Sequence, residues 1–213
     1  MFYETKDPHG LPHDPFKSCL VPRLIGWIST LSPDGVVNLA PYSFFQGIAT
    51  DPPMVMFVSM GDQPYGPKDT VSNIEATGEF VCNMATWDLR DQMNVSCAAV
   101  PAEVDEMEIA GLEKEPSVLV KPPRVKASPI HMECTHYQTI HLPSNNPKYK
   151  QTMVLGYVVG IHIKDEVLTD GLVDITKVRP IARRGYMDYA VVNDVFTMFR
   201  PSPEDVMAVQ EAE

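Results

Sequence analysis

Two apolar runs joined by a short turn constrain this chain more than anything else in it. Arg23 to Thr30 is apolar almost throughout, Ser32-Pro33-Asp34-Gly35 is turn sequence, and Val36 to Phe45 resumes the apolar pattern. Proline pre-sets a turn dihedral and glycine takes up positive φ without steric cost. The two runs are therefore expected to fold back on each other as an antiparallel hairpin. Met54 to Met60, behind the Asp51-Pro52-Pro53 connection, reads as a third strand with apolar residues on both faces. Hydroxyls, an amide and aromatic rings crowd around the hairpin, at Trp27, Ser29, Thr30, Asn38, Tyr42 and Ser43. That mixture suits a flat ligand with polar edges.

After a loop containing Gly61, Pro64, Gly66 and Pro67, Lys68 to Gly78 reads as a short helix. Asp69 or Thr70 is expected to cap it, because a short side-chain oxygen can accept an orphaned backbone N–H. Gly78 sits where a terminating glycine belongs. Glu79 to Met84 is a fourth strand. Thr86 is expected to cap a second helix, with Leu89, Met93 and Cys97 as its buried stripe. Ala102 to Met107 adds a helical turn or two. Strands then return as Arg124 to Leu142, long and bent, Thr152 to Ile163, and Val173 to Arg183, with a turn at Ser144-Asn145-Asn146-Pro147. Ser202-Pro203-Glu204-Asp205 has the form of a helix start. Strands, two helices and strands again do not make the alternation of a parallel sheet, so a mainly β, antiparallel barrel with inserted short helices is expected. Its 213 residues suit one domain: an irregular arm over 1–21, rich in proline, the barrel over 22–200, and a helical tail over 201–213.

The formal charge of −11 argues against nucleic acid and against an anionic membrane surface. An anionic small ligand would need a local positive patch working against that charge. No apolar stretch is long enough to span a bilayer, and residues 1–10 carry no apolar signal core. The four cysteines, Cys19, Cys82, Cys97 and Cys134, have no CxxC spacing and read as reduced and structural. A cytoplasmic location is the expectation.

Lys68-Asp69-Thr70 could form a phosphate cradle, since a helix start offers unpaired N–H groups beside an ammonium and a hydroxyl. No dinucleotide or P-loop glycine pattern is present, and Gly156 and Gly160 read as close backbone packing or a bulge within a strand. His131-Met132-Glu133-Cys134-Thr135-His136 resembles a metal cluster only until strand alternation separates it. Cys134 and His136 then face one side, His131 and Glu133 the other, so no metal site is expected. His131 and His162 read as polar residues on a half-solvated face. No nucleophile elbow occurs.

Taken together, Pro22 to Thr30, Asn38 to Phe45, Asp51-Pro52-Pro53, Lys68-Asp69-Thr70 with Asn73, and Thr77 to Val81 resemble the flavin reductase-like family of FMN-binding split β-barrels, which includes flavoredoxins. Ala110-Gly111-Leu112, Pro122 to Val125, Ser128-Pro129, Glu133-Cys134 and Arg179 to Arg183, followed by Gly185 and Tyr189, continue the likeness to about residue 200. The resemblance implies a Greek-key split barrel, a homodimer with FMN near the subunit interface, and reduction of the flavin by NADH or NADPH. It places Trp27, Ile28, Ser29 and Thr30 along the flavin ring. Asn38, Ala40 and Ser43 would meet the ring or ribityl chain, and Lys68, Asp69, Thr70 and Asn73 the phosphate end. It implies no essential nucleophile, with Ser29, Thr30 or a nearby backbone N–H stabilising charge on the reduced ring. The electron acceptor, a small molecule or a protein, is left open. So are two rival readings, a flavin-binding carrier or sensor without a nicotinamide site, and a split barrel for another ligand such as haem or a pyridoxal phosphate-like molecule. Two positions depart from the family pattern. Gly26 replaces the commoner alanine, which removes only a methyl group, and Arg184 replaces an apolar residue.

Overall fold

The hairpin expected at the start of the chain is the first corner of a seven-stranded sheet. In the computed structural model, which describes residues 1–61, 68–146, 149–204 and 207, β1 (Gly26–Leu31) pairs antiparallel with β2 (Val37–Tyr42), from Gly26 opposite Tyr42 to Leu31 opposite Val37. Only Ser43 and Phe44 separate β2 from β3 (Phe45–Thr50), and β4 (Pro53–Met60) follows. Then come α1 (Asp69–Thr77), β5 (Glu79–Met84), α2 (Arg90–Val95) behind a 3-10 turn, and α3 (Glu106–Ile109). The short pair β6 (Lys114–Glu115) and β7 (Arg124–Val125) precedes two long strands, β8 (Ile130–Leu142) and β9 (Gln151–Ile163). The hairpin β10 (Leu168–Thr169) and β11 (Leu172–Val173), α4 (Ile175–Val178), β12 (Ile181–Arg183) and β13 (Tyr189–Val191) close the order.

The large sheet runs β2-β1-β5-β8-β9-β4-β3, every pair antiparallel. Its two edges, β2 and β3, are neighbours in sequence, so a two-residue link forces the sheet to curl round on itself. The Tyr42 ring meets the Phe57 ring at 4.7 Å across the closing side. This is a split antiparallel β-barrel of mainly β class with short inserted helices. Alternation along β1 divides the core. Ile28 joins Tyr42, Phe57, Phe80 and Val154 inside the barrel, with Ile74 of α1 inserted among them. Trp27 joins Leu39, Met93, Met107, Val125 and Ile181 in a second layer outside it. Full burial of side chains this large stabilises by about 1.5–3 kcal/mol each, so both layers hold β1 in place.

Several elements differ from the expectation. The strand expected over Val36–Phe45 ends at Tyr42, and Phe45–Thr50 is a separate strand. The side chains of Gln46 to Thr50 are exposed, so no apolar period announces them. Arg124–Leu142 is broken between β7 and β8. Val173–Arg183 is not one strand. The Asp174 carboxylate accepts from the Thr176 and Lys177 N–H groups and starts α4 there. Neither Asp69 nor Thr70 caps α1. Lys68 occupies that position without a side-chain bond, while Gly78 ends the helix in the left-handed region with its N–H on Ile74 O. Thr86 does not cap either, because its backbone bridges to Pro180. Cys97 is exposed, unlike Leu89 and Met93. Gly156 and Gly160 sit at register shifts between β8 and β9, and a Cβ on Gly156 would lie 2.5 Å from the Phe80 ring. Pro64, Gly66 and Pro67 of the expected loop, Pro147 of the expected turn, and Asp205 with residues 208–213 of the expected tail lie outside the described residues.

Candidate functional site

The polar residues of β1, β2 and α1 form one enclosed network. Thr70 Oγ1 donates to Asn38 Oδ1 at 2.6 Å, and Asn38 Nδ2 donates to Glu106 Oε1 at 2.9 Å. The second Glu106 oxygen accepts the Leu39 N–H at 3.0 Å. Asn73 Nδ2 donates to Thr30 Oγ1 at 3.1 Å, and the Thr30 hydroxyl lies 3.4 Å from Asn38 Oδ1. Burial raises the Glu106 pKa, and the bonds from Leu39 and Asn38 only partly offset it. The network joins α1 and α3 to the edge strand β2, and each of its members has a partner.

On the other face of β1, Trp27 Nε1 donates to Ser96 Oγ at 2.9 Å and Ser29 Oγ to Pro123 O at 2.6 Å. Asn83 Nδ2 bonds both Trp27 O and Ser29 Oγ, and Asn83 Oδ1 accepts the Val125 N–H. These bonds hold a strap, residues 117–125, against the barrel. Glu133 holds its other end, accepting the N–H groups of Val118, Leu119 and Val120 at 2.8, 2.6 and 3.2 Å and pairing with His162 Nε2 at 2.5 Å. Burial alone would raise this carboxyl; the backbone donors and His162 outweigh it and hold its pKa below the usual range. Beneath the strap His131 is 1% exposed, with Nε2 on Val125 O at 2.8 Å and no partner for Nδ1. Burial, before any other cause, takes its pKa down to about 4. The expected half-solvated face for Glu133 and His131 is thus an interior, because the strap covers it.

Trp27, Ile28, Ser29 and Thr30 are all 0% exposed. The structure shows two features of this segment, which was expected to lie along a flat ring. Their side chains present no surface, and Trp27 and Ser29 face the opposite side of β1 from Ile28 and Thr30. They form a rigid, buried part of β1. Ser43 is different. It lies at the end of β2 beside a cavity of about 370 Å³ lined by Pro41, Asn94, Cys97, Arg183 and Tyr189. Arg23 Nε approaches Ser43 Oγ at 3.5 Å. That guanidinium is 9% exposed and donates to the carbonyls of Lys17, Leu20 and Arg184 rather than to a carboxylate. Ala40, half-buried, packs against the interior cluster. Lys68 and the half-buried Asp69 stand at the start of α1, with the Lys68 ammonium 5.4 Å from the centre of the Tyr42 ring.

Electrostatics ties these groups together. Burial lowers the Lys68 pKa. Burial raises that of Cys97, while Arg183 and Lys68, both close enough to act on it, pull the other way. Among the described residues no carboxylate pairs with Arg23, Lys68 or Arg183. In a chain of charge −11, Arg183 at this cavity, Arg23 beside the Ser43 hydroxyl and Lys68 at the start of α1 are three neighbouring cations without carboxylate partners, a local inversion of sign. The buried Tyr42 hydroxyl nearby has no hydrogen-bond partner. Arg23, Asn94, Cys97 and Arg183 were not among the sequence-predicted site residues. The signal available for the two arginines was their lack of acidic neighbours in the sequence. Gly26 also has a definite role. A Cβ there would stand 2.5 Å from the Phe45 ring, so glycine lets β3 turn close over β1, which is more than the loss of a methyl group.

A profile of the flavin reductase like domain matches residues 18–182. The chain belongs to the flavin reductase-like family. An uncharacterised protein of Aquifex aeolicus is 38% identical over 167 residues, covering 78% of this chain and 82% of that protein. Among solved structures, nitrilotriacetate monooxygenase component B from Bacillus cereus superposes with a TM-score of 0.82 at 26% identity, over 93% of this chain and 98% of that one. Flavoredoxin of Desulfovibrio vulgaris superposes at 0.72 and 17% identity, over 93% and 97%, and shares the fold. The family match and these superpositions agree with the split-barrel fold seen here.

Proposed function

We propose that the protein binds FMN and uses it to move hydride from NADH or NADPH to a small-molecule or protein acceptor. The observation that carries the reading is the region around Ser43, where Arg183 lines the cavity, Arg23 approaches the Ser43 hydroxyl and Lys68 stands over the Tyr42 ring, with no carboxylate among the described residues paired to any of them in a strongly acidic chain. These donors suit a flavin mononucleotide. Lys68 and Arg183 would meet the anionic end, with Ser43, Ala40 and Asp69 along the ligand. Asn38, Thr70 and Asn73 would fix the position of α1 behind it, and Trp27, Ile28, Ser29 and Thr30 would form the rigid backing. A bound flavin supplies the two-electron chemistry, while the protein supplies placement and electrostatics. The chain's own residues bind, orient and neutralise charge. The Cys97 pKa is raised rather than lowered, and no nucleophile is required.

The reading includes a homodimer with the flavin near its interface. The free edge of β3 supports this, as do the exposed apolar side chains of Leu24 and Ile48 and of the extended segment carrying Phe196 and Phe199, 85% and 90% exposed. A cytoplasmic location is supported by four free thiols, and no helix among the described residues is long and apolar enough to cross a membrane.

Anaerobic mixing of the purified protein with each nicotinamide, followed at the flavin absorbance bands, tests the reading. The expected result is a yellow protein whose colour bleaches with one or both donors. A flavin that stays oxidised with both would leave an electron carrier or sensor. A protein that takes up no FMN would sink both readings.

A further inference from the structure

A second cavity adjoins the one beside Ser43. This neighbour measures about 440 Å³ and shares Met93, Asn94 and Tyr189 with the first. Its floor is apolar, made of Met93, Ile181, Ala190 and Val191, and the rings of Trp87 and Tyr189 stand at its sides. Three charged groups reach it. Arg90 lies over the Trp87 ring at 4.3 Å and pairs with Asp91 at 3.4 Å, so those two largely cancel. Arg184 is the third, and among the described residues no carboxylate pairs with it. Its backbone is held from both sides. Its N–H donates to Asp188 O at 2.9 Å, and its carbonyl accepts Arg23 Nη2 at 2.9 Å. The chain thus fixes where this side chain emerges.

We propose that this second cavity binds an aromatic monocarboxylate of one or two rings beside the flavin site, with Arg184 as the residue that selects its negative charge. Flat apolar walls match a ring. A guanidinium matches the two oxygens of a carboxylate in a planar fork. Asp91 at the same cavity disfavours a dianion such as a phosphate monoester. The volume is that of a small-molecule pocket, and one net cation is too few for the two phosphates of a dinucleotide. The inference rests on the reading of the adjoining cavity as the flavin site.

The test uses FMN-loaded protein titrated with benzoate and with benzamide, its uncharged counterpart, read by perturbation of the flavin spectrum and by quenching of Trp87 fluorescence. Wild type should bind benzoate at least ~10-fold tighter than benzamide, as a charged hydrogen bond of ordinary strength requires. Arg184→Met and Arg184→Gln should lose that preference and keep their FMN affinity and melting temperature, since the side chain is exposed. Arg184→Lys should keep part of it. Equal binding of the two ligands by wild type, a preference that survives in both Arg184→Met and Arg184→Gln, or no binding of either overturns the inference. A protein that takes up no FMN is a different failure, visible before any benzoate is added. It removes the functional reading and the shared site together.

Discussion

Two polar regions lie within a few residues of each other, on β2 and just past its end, and they are built on opposite terms. Around Asn38 every member has a partner: Thr70, Thr30 and Glu106 satisfy the amide, and Glu106 also takes the Leu39 N–H. Around Ser43 the charges are cationic and have no carboxylate to answer them. A satisfied buried network specifies structure. Unanswered cations at a cavity specify a ligand. The comparison teaches that residues of one sequence motif can divide between scaffold and site, and that side-chain partners, not motif membership, decide which.

Substitutions should separate the two regions cleanly. Glu106→Ala would leave the Asn38 amide and the Leu39 N–H without their acceptor. We expect a loss of about 3 kcal/mol in stability, the scale for leaving buried donors unsatisfied, measured by denaturant unfolding, with FMN affinity per folded molecule little changed. A large loss of FMN affinity at unchanged stability would break the division.

Acid should act on the scaffold rather than on the cavity. The His131 pKa is depressed to about 4 by burial, so below its unfolded value of 6.5 the unfolded chain takes up a proton that the folded chain refuses. Stability therefore falls as pH drops from about 6.5 towards 4, by at most about 1.4 kcal/mol per pH unit and roughly 3 kcal/mol in all. Glu133 has its pKa lowered, so its contribution is present above its unfolded value and is lost as pH falls through the folded one. Both slopes have the same sign. Glu106, with its pKa raised, has the opposite sign and loses stability as pH rises through that range. In His131→Gln the fall between pH 6.5 and 4 should flatten. An unchanged slope would show that His131 is not its source.

Lys68→Met should act on the cavity side. We expect FMN to bind about thirtyfold more weakly, near 2 kcal/mol, with the melting temperature held within a degree or two. Gly26→Ala should give the smallest effect, about 1.5 kcal/mol of overpacking against the Phe45 ring. A neutral result there would mean that Phe45 moves aside freely.

The contrast also shows what could be read from the chain beforehand. Local signals were legible. The hairpin turn, the apolar run of β4 and the terminating Gly78 each act through neighbouring residues, and each appears where expected. Signals that depend on distant partners were not. Thr70 looks like a helix cap, yet its hydroxyl goes to Asn38, thirty-two positions away. Thr86 looks like another, yet its backbone is claimed by Pro180. Glu133 and His131 alternate as surface residues should, and only the strap at 117–125 makes their face an interior. β3 lacked any apolar period because its outer surface is uncovered. The proposed site divides the same way: Ser43 and Lys68 stand in recognisable motifs, whereas Arg23 and Arg183 stand out only once the fold sets them together without acids.

The most direct test of this account compares the binding of FMN with that of riboflavin, which lacks the phosphate, by equilibrium titration of the purified protein. If the unanswered cations beside Ser43 hold the anionic end of a flavin, FMN should bind at least ~10-fold tighter, and Lys68→Met should erase most of that margin. Equal affinity for the two flavins, or a margin untouched by Lys68→Met, would contradict it.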